Sequence, residues 1–106
     1  MTEITTGADV VTLINVFTVA PERQQELLDL LDRATEEVMR HRPGFVSANL
    51  HASLDGGHVA NYAQWESEAA FQAMLADPEC REHMSAATAM ADAVPVLYRV
   101  SSTHHR

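Results

Sequence analysis

Phe45-Val46-Ser47-Ala48-Asn49-Leu50-His51-Ala52-Ser53-Leu54, then Asp55-Gly56-Gly57, then His58-Val59-Ala60-Asn61-Tyr62-Ala63-Gln64-Trp65-Glu66, is the segment that settles the topology. Two β-rich runs separated by Asp-Gly-Gly read as a hairpin, because Asp and Gly reach the backbone angles of a tight reversal at low cost. In the second run Val59, Asn61, Ala63 and Trp65 alternate with Ala60, Tyr62, Gln64 and Glu66, and a period of two sends each set to its own face of a sheet. An Asn among apolar neighbours must find hydrogen-bond partners once buried, so Asn61 either braces backbone or meets a polar atom of something bound.

Working outward, residues 11–19 are β-rich and read as a first strand. Pro21 suits the first turn of a helix, and Leu27, Leu30, Leu31, Ala34 and Val38 recur at helical spacing to about Arg42, where Pro43-Gly44 stops it. After the hairpin, Ser67 caps a helix carrying Phe71, Met74 and Leu75 inward. Asp77-Pro78 interrupts that helix, a further one runs over 78–91, and 94–100 closes the chain as a strand with Pro95 near its start or on an edge. The order strand, helix, strand, strand, broken helix pair, strand is the split βαβ arrangement of an α+β ferredoxin-like fold, an antiparallel sheet with helices on one face. Strand one is apolar on both sides, with Leu13, Phe17 and Val19 opposite Ile14 and Val16. The second sheet face therefore needs cover, and a homodimer packing sheet against sheet into an α+β barrel would supply it. Residues 10–100 are expected to form one domain, with 1–9 and 101–106 as flexible termini.

At 106 residues and 46% hydrophobic, the chain is long enough for one core. A net charge of −8 repels nucleic acid and anionic membrane, and no apolar run approaches a membrane span. Lone Cys80 excludes an intrachain disulfide and a thiolate metal cluster, which with the polar leader points to the cytoplasm. The histidines are scattered, without HExxH or His-x-His spacing, so no metal site is expected.

The Pro43-Gly44-Phe45 bend, the run His51-Ala52-Ser53-Leu54-Asp55-Gly56 and the block Asn61-Tyr62-Ala63-Gln64-Trp65-Glu66-Ser67-Glu68 resemble the antibiotic biosynthesis monooxygenase family, and within it the quinone-forming enzymes of the actinorhodin-pathway type. The resemblance implies a small ferredoxin-like homodimer that oxidises an aromatic polyketide of anthrone or hydroxynaphthone type to a quinone with O2, without metal, flavin or haem. It implies Asn61, Trp65 and Arg81 as groups acting on the substrate's oxygen atoms. Leu50 and Phe71 occupy positions where those relatives carry aromatic hydroxyls, which makes this cavity greasier. A second branch, the bacterial haem-degrading monooxygenases, uses an Asn on strand one, a Trp on the first helix after the hairpin and a His on the next. Asn15 and His83 match the first and third, but Met74 stands where that Trp would be.

The residue types suit chemistry without a cofactor. An anthrone loses a benzylic proton to an extended enolate, which can itself pass an electron to O2. The protein then supplies orientation, dryness and hydrogen-bond donors. His83 is the candidate base, with a Tyr62 relay or solvent as alternatives. Each residue also has an ordinary reading. Trp65 can seal a core corner, Asn15 and Asn61 can brace backbone, His83 can be a core histidine, and Arg81 can be a surface residue paired with Glu79 or Glu82. Besides haem degradation, a non-catalytic dimeric module that binds small aromatics stays open.

Overall fold

The computed structural model describes residues 1–106. The strands are β1 (Val11–Thr18), β2 (Phe45–Ala52), β3 (His58–Trp65) and β4 (Asp92–Tyr98), and the helices are α1 (Gln24–Glu37), α2 (Glu68–Ala76) and α3 (Pro78–Met90). The sheet order is β2-β3-β1-β4 with every neighbouring pair antiparallel, which is the ferredoxin-like topology expected from the hairpin and the helix placement. Element boundaries shift by a residue or two. The first long helix ends at Glu37, and a 3-10 turn, Met39–His41, carries the chain to the Pro43-Gly44 bend. The last strand starts at Asp92 and places Pro95 mid-strand on the sheet edge, where its missing N–H costs no ladder bond to an outer neighbour.

Local chemistry explains each turning point. Ser67 Oγ accepts the Ala70 N–H at 3.0 Å and starts α2. Asp77 Oδ1 accepts the N–H groups of Glu79 (3.0 Å) and Cys80 (3.1 Å), and Pro78 takes the first helical position, so one Asp-Pro pair ends α2 and begins α3. Gln24 Nε2 donates to the carbonyls of Ser53 (3.2 Å) and His58 (2.9 Å), pinning the start of α1 across the mouth of the hairpin.

Register sorts the sheet into two faces. Val11, Leu13, Asn15 and Phe17 of β1 lie opposite Trp65, Ala63, Asn61 and Val59 of β3, and this face meets the helices. The apolar core on it is divided. Val11, Leu13, Ala63 and Trp65 pack with Phe71, Met74, Val38 and Cys80 at one end. Phe17, Val19 and Val59 pack with Leu27, Ala87 and Ala91 at the other. Between the two clusters stands the cross-strand pair Asn15 and Asn61.

The outer face carries Val16, Val94, Val96 and Tyr98, each more than a third exposed. Residues 1–9, expected as a loose leader, form no helix or strand, yet Thr2 hydrogen-bonds Asn49 (2.9 Å) and Gln64 Nε2 donates to the Glu3 carbonyl at 2.6 Å. The leader thus crosses the β2–β3 end of that face and contributes to burying Thr12 and Gln64.

The bend before β2 rests on Gly44. Its φ of +86° lies in the left-handed region, its carbonyl accepts the Glu66 N–H at 2.7 Å, and a Cβ there would overlap the Ala70 side chain. Gly44→Ala is expected to lower stability by about 2–4 kcal/mol through backbone strain and overpacking, read from chemical denaturation; a loss under about 1 kcal/mol would mean α2 shifts away freely.

Arg42, just after the 3-10 turn that follows α1, reaches the α2–α3 junction. Its Nε lies 3.1 Å from Asp77 Oδ2, in an ion-pair contact too oblique for a hydrogen bond, and a terminal guanidinium nitrogen lies 3.1 Å from Glu79. The Cys80 N–H, then the Arg42 charge and the Glu79 N–H, hold the Asp77 carboxyl below its usual 3.8, against the opposing effect of partial burial. A depressed carboxylate stabilises the fold fully above its unfolded value, and that contribution drains away as pH falls below 3.8 through the lower folded value. Asp77→Asn keeps a capping acceptor and removes the charge. Its thermal midpoint should lie below wild type at pH 7 and converge with it toward pH 3, whereas parallel curves would show that the charge contributes nothing.

Candidate active site

A cavity of about 670 Å³ opens between the helix-facing side of the sheet and helices α1, α2 and α3. Its volume falls in the range that accommodates a multi-ring organic molecule. Leu13, Phe17, Ala48, Ala63 and Leu97 form a hydrocarbon floor from the sheet, while Leu31, Ala34, Leu75 and Met84 form the helical wall. The polar groups are few: Asn15, Asn61, Trp65 and His83 with Thr35, Gln72 and Thr88. No Asp, Glu, Lys or Arg lines it, and His83 brings its one imidazole.

Asn15 and Asn61 face one another as direct cross-strand partners, a relation that brings Cβ atoms to about 4.5–5.5 Å. The Oδ1 atoms of both are buried and accept no hydrogen bond. On the other flank of Asn15 stands Pro95, which brings no N–H. Neither amide oxygen is therefore spent on bracing backbone. An unsatisfied buried polar atom costs about 1–3 kcal/mol, so this pair is an expense that the fold alone does not justify.

Trp65 ends β3 and is 2% exposed. Phe45 meets it edge-on at 5.5 Å between ring centroids with planes 88° apart, and Phe71 meets it at 6.4 Å and 67°. These contacts fix the indole plane in the cavity wall, and its N–H is the only hydrogen-bonding atom of the side chain. His83, half-buried on α3, lines the cavity together with Met74 and Phe71 of α2.

Of the residues singled out from sequence, Asn15, Asn61, Trp65, Phe71, Met74 and His83 share this one cavity. Three do not line it. Tyr62 pairs with Ile14 on the opposite face of the sheet, as strand alternation requires of a neighbour of Asn61, and does not line the cavity. Arg81 is exposed on the outer side of α3, because the buried stripe of that helix runs through Cys80 and Ala87. Leu50 sits on the helix-facing side of β2 beside Asn61, but the cavity meets β2 only at Phe45 and Ala48, so Leu50 lies outside the lining. Thr35, Gln72 and Thr88 were not anticipated. Gln72 and Thr88 are exposed helix positions and Thr35 is half-buried, and the gap between helices and sheet makes them lining residues.

No group of three or more His, Cys, Asp or Glu side chains converges on a point where a metal ion could be held. Asn15 and His83 do share a cavity, but buried Met74 stands at the position where the haem-degrading branch carries its Trp. Cys80 is fully buried, and its burial pushes the thiol above its usual range, against the pull of Arg42, so it is inert packing.

Three known proteins are similar to this chain. Tetracenomycin-F1 monooxygenase of Streptomyces glaucescens is 48% identical over 101 residues, spanning 95% of this chain and 90% of that protein. The crystal structure of SnoaB, a cofactor-independent oxygenase from Streptomyces nogalater, superposes with a TM-score of 0.78 at 31% identity over 91% of this chain and 97% of that one. The monooxygenase from the ActVA-Orf6 gene of Streptomyces coelicolor, in complex with nanaomycin D, gives a TM-score of 0.80 at 32% identity over 93% of each chain. With residues 10–86 matching it as well, the chain belongs to the antibiotic biosynthesis monooxygenase family and is an oxidoreductase.

Proposed function

We propose that this protein converts a methylene or equivalent ring carbon of a polycyclic aromatic polyketide, of anthrone or hydroxynaphthone type, to a quinone carbonyl with O2 as the only co-substrate. The observation that carries the reading is the apolar cavity of about 670 Å³ holding two uncommitted amides and one fixed indole, with no charged side chain. SnoaB, described as a cofactor-independent oxygenase, supports the absence of a cofactor.

The chemistry follows from what the cavity offers. His83 takes the proton from the activated carbon, leaving a delocalised enolate whose oxygen is met by the Asn61 amide and the Trp65 indole N–H. The enolate passes one electron to O2, and the radical pair joins as a peroxide at the ring carbon. Loss of water then leaves the carbonyl. One oxygen atom remains on carbon, the other departs as water, and all the electrons come from the substrate. The hydrocarbon walls keep water from quenching the anion.

Purified metal-free protein should consume O2 with dithranol well above the no-enzyme autoxidation rate, and Trp65→Phe should abolish most of the excess while costing only about 1–2 kcal/mol of stability. Binding of dithranol without O2 uptake would move the assignment to a non-catalytic aromatic-binding module. Uptake that needs added haemin and is accompanied by a Soret band would move it to haem degradation.

Asn61→Leu separates function from fold. Replacing an unsatisfied buried amide by a group of similar volume should leave the thermal midpoint equal to or above wild type while lowering turnover by about tenfold or more. A fall of several degrees would show that Asn61 is structural.

The outer sheet face, with Val94 64% and Tyr98 48% exposed, supports a homodimer that packs sheet on sheet, in keeping with a cytoplasmic enzyme of one domain over residues 10–100. Light scattering should give twice the 11.7 kDa chain mass. Val94→Asp should shift it to the monomer, and a monomeric wild type would remove the proposal.

A further inference from the structure

We propose that Met39, Met74 and Met84 are an internal reductant of the site, thioethers that take an oxygen atom from substrate peroxide that fails to lose water and become methionine sulfoxide. This deepens the functional reading above and rests on its peroxide step. The chain has five methionines, and with Met1 set aside, three of the remaining four line the one cavity. Met74 belongs to the apolar cluster that contains Trp65, and Met39 and Met84 pack against that cluster. All three therefore stand at the end of the cavity where the mechanism holds the substrate's oxygen against the indole. Met90 packs on the other cluster and does not line the cavity. Packing alone does not call for sulfur here, because Leu fills nearly the same volume in a core, and the neighbouring wall positions Leu31 and Leu75 use it. What sulfur adds is a polarisable lone pair that accepts oxygen from a peroxide in a two-electron step. The O–O bond breaks and the outer oxygen bonds to sulfur. The proton passes to the inner oxygen, which stays on the ring carbon as an alcohol, so sulfur is oxidised as the peroxide is reduced. The other oxidisable groups of the lining are the Trp65 indole and the His83 imidazole, which the reaction needs, and the Cys80 thiol is fully buried outside the lining. Thioethers beside them intercept the oxidant first.

The test gives the purified protein dithranol in air, with catalase present to remove free hydrogen peroxide, and then weighs its peptides by mass spectrometry. One added oxygen per methionine should accumulate on Met39, Met74 and Met84 with turnover, at about tenfold or more the level on Met90, each matched by one molecule of ring alcohol among the products. Met1, which is fully exposed, reports peroxide in solution and should stay unmodified. Oxygen on Met1 and Met90 at the level of the lining methionines would mean attack by free peroxide and would overturn the proposal. Lining methionines that stay clean while O2 is consumed would overturn it too. Met39→Leu, Met74→Leu and Met84→Leu combined change the core volume little, and oxygen should then appear on Trp65 about threefold or more above wild type per turnover. Unchanged oxidation of Trp65 in that variant would show that the thioethers intercept nothing.

Cumene hydroperoxide, added without dithranol, separates failure of this site from failure of the oxygenase reading. Sulfoxide on the lining methionines that excess anthraquinone prevents, in a protein that consumes no O2, would keep the reductant site and discard the reaction. Robust O2 uptake, with lining methionines that neither turnover nor cumene hydroperoxide oxidises, would keep the reaction and discard the site.

Discussion

A single polar rung, Asn15 opposite Asn61, runs across the middle of an otherwise apolar sheet face, and the rest of the interior is arranged around it. Above and below the rung the strands carry Val, Leu, Phe, Ala and Trp, and these draw α1, α2 and α3 down onto the sheet at its two ends. At the rung no helix side chain offers a hydrogen bond, so close packing there would leave two amides desolvated and unpaired. The helices bridge the gap instead of filling it, and the cavity is that gap. Only 17 of 106 residues are buried, which fits a core interrupted at its centre. A folded state organised in this way gives up stability for a place where something polar and flat can be held.

The walls of that place are stiffened from outside. Gly44 lets α2 approach the bend, its carbonyl anchors the chain just after Trp65, and Phe45 and Phe71 then close on the indole from two sides. Arg42, reaching across to Asp77 and Glu79, ties the end of α1 to the start of the helix that carries His83. Gly44, Arg42, Asp77 and Glu79 lie outside the lining, yet through these interactions they brace the elements that carry the indole and the imidazole. Positioning of that kind matters most where there is no metal or cofactor to impose geometry.

Much of this was legible in the chain before any coordinates. The Asp55-Gly56-Gly57 reversal, the Ser67 cap and the Asp77-Pro78 break are local signals, and each became the feature it suggested. Strand alternation placed Asn61 and Trp65 together and set Tyr62 apart, because that period depends only on backbone geometry. Arg81 is different. Its neighbours Cys80 and His83 both face inward, and a shift of about one residue along a helix turns a side chain by roughly 100°. Whether Arg81 points in or out is settled by how α3 is rotated on its neighbours, which no local signal encodes. The same holds for Leu50, whose strand face was readable but whose place along β2, beyond the lining residues Phe45 and Ala48, depends on where the helices leave the gap. The meeting of Asn15 with Asn61 needed the register of β1 against β3, a property of two segments more than forty residues apart.

The outward position of Arg81 makes chemical sense for a reaction in which the substrate is its own reductant. A guanidinium beside the enolate would stabilise the anion and ease proton removal, but it would also bind the extra electron density and make transfer to O2 harder. Amide and indole dipoles stabilise developing charge more gently than a full cation does. In the proposed mechanism, a cavity lined by hydrocarbon, two amides, an indole and one imidazole would leave the enolate formed yet still electron-rich. Under that mechanism the absence of fixed charge from the lining would belong to the chemistry of the site as much as the residues it contains.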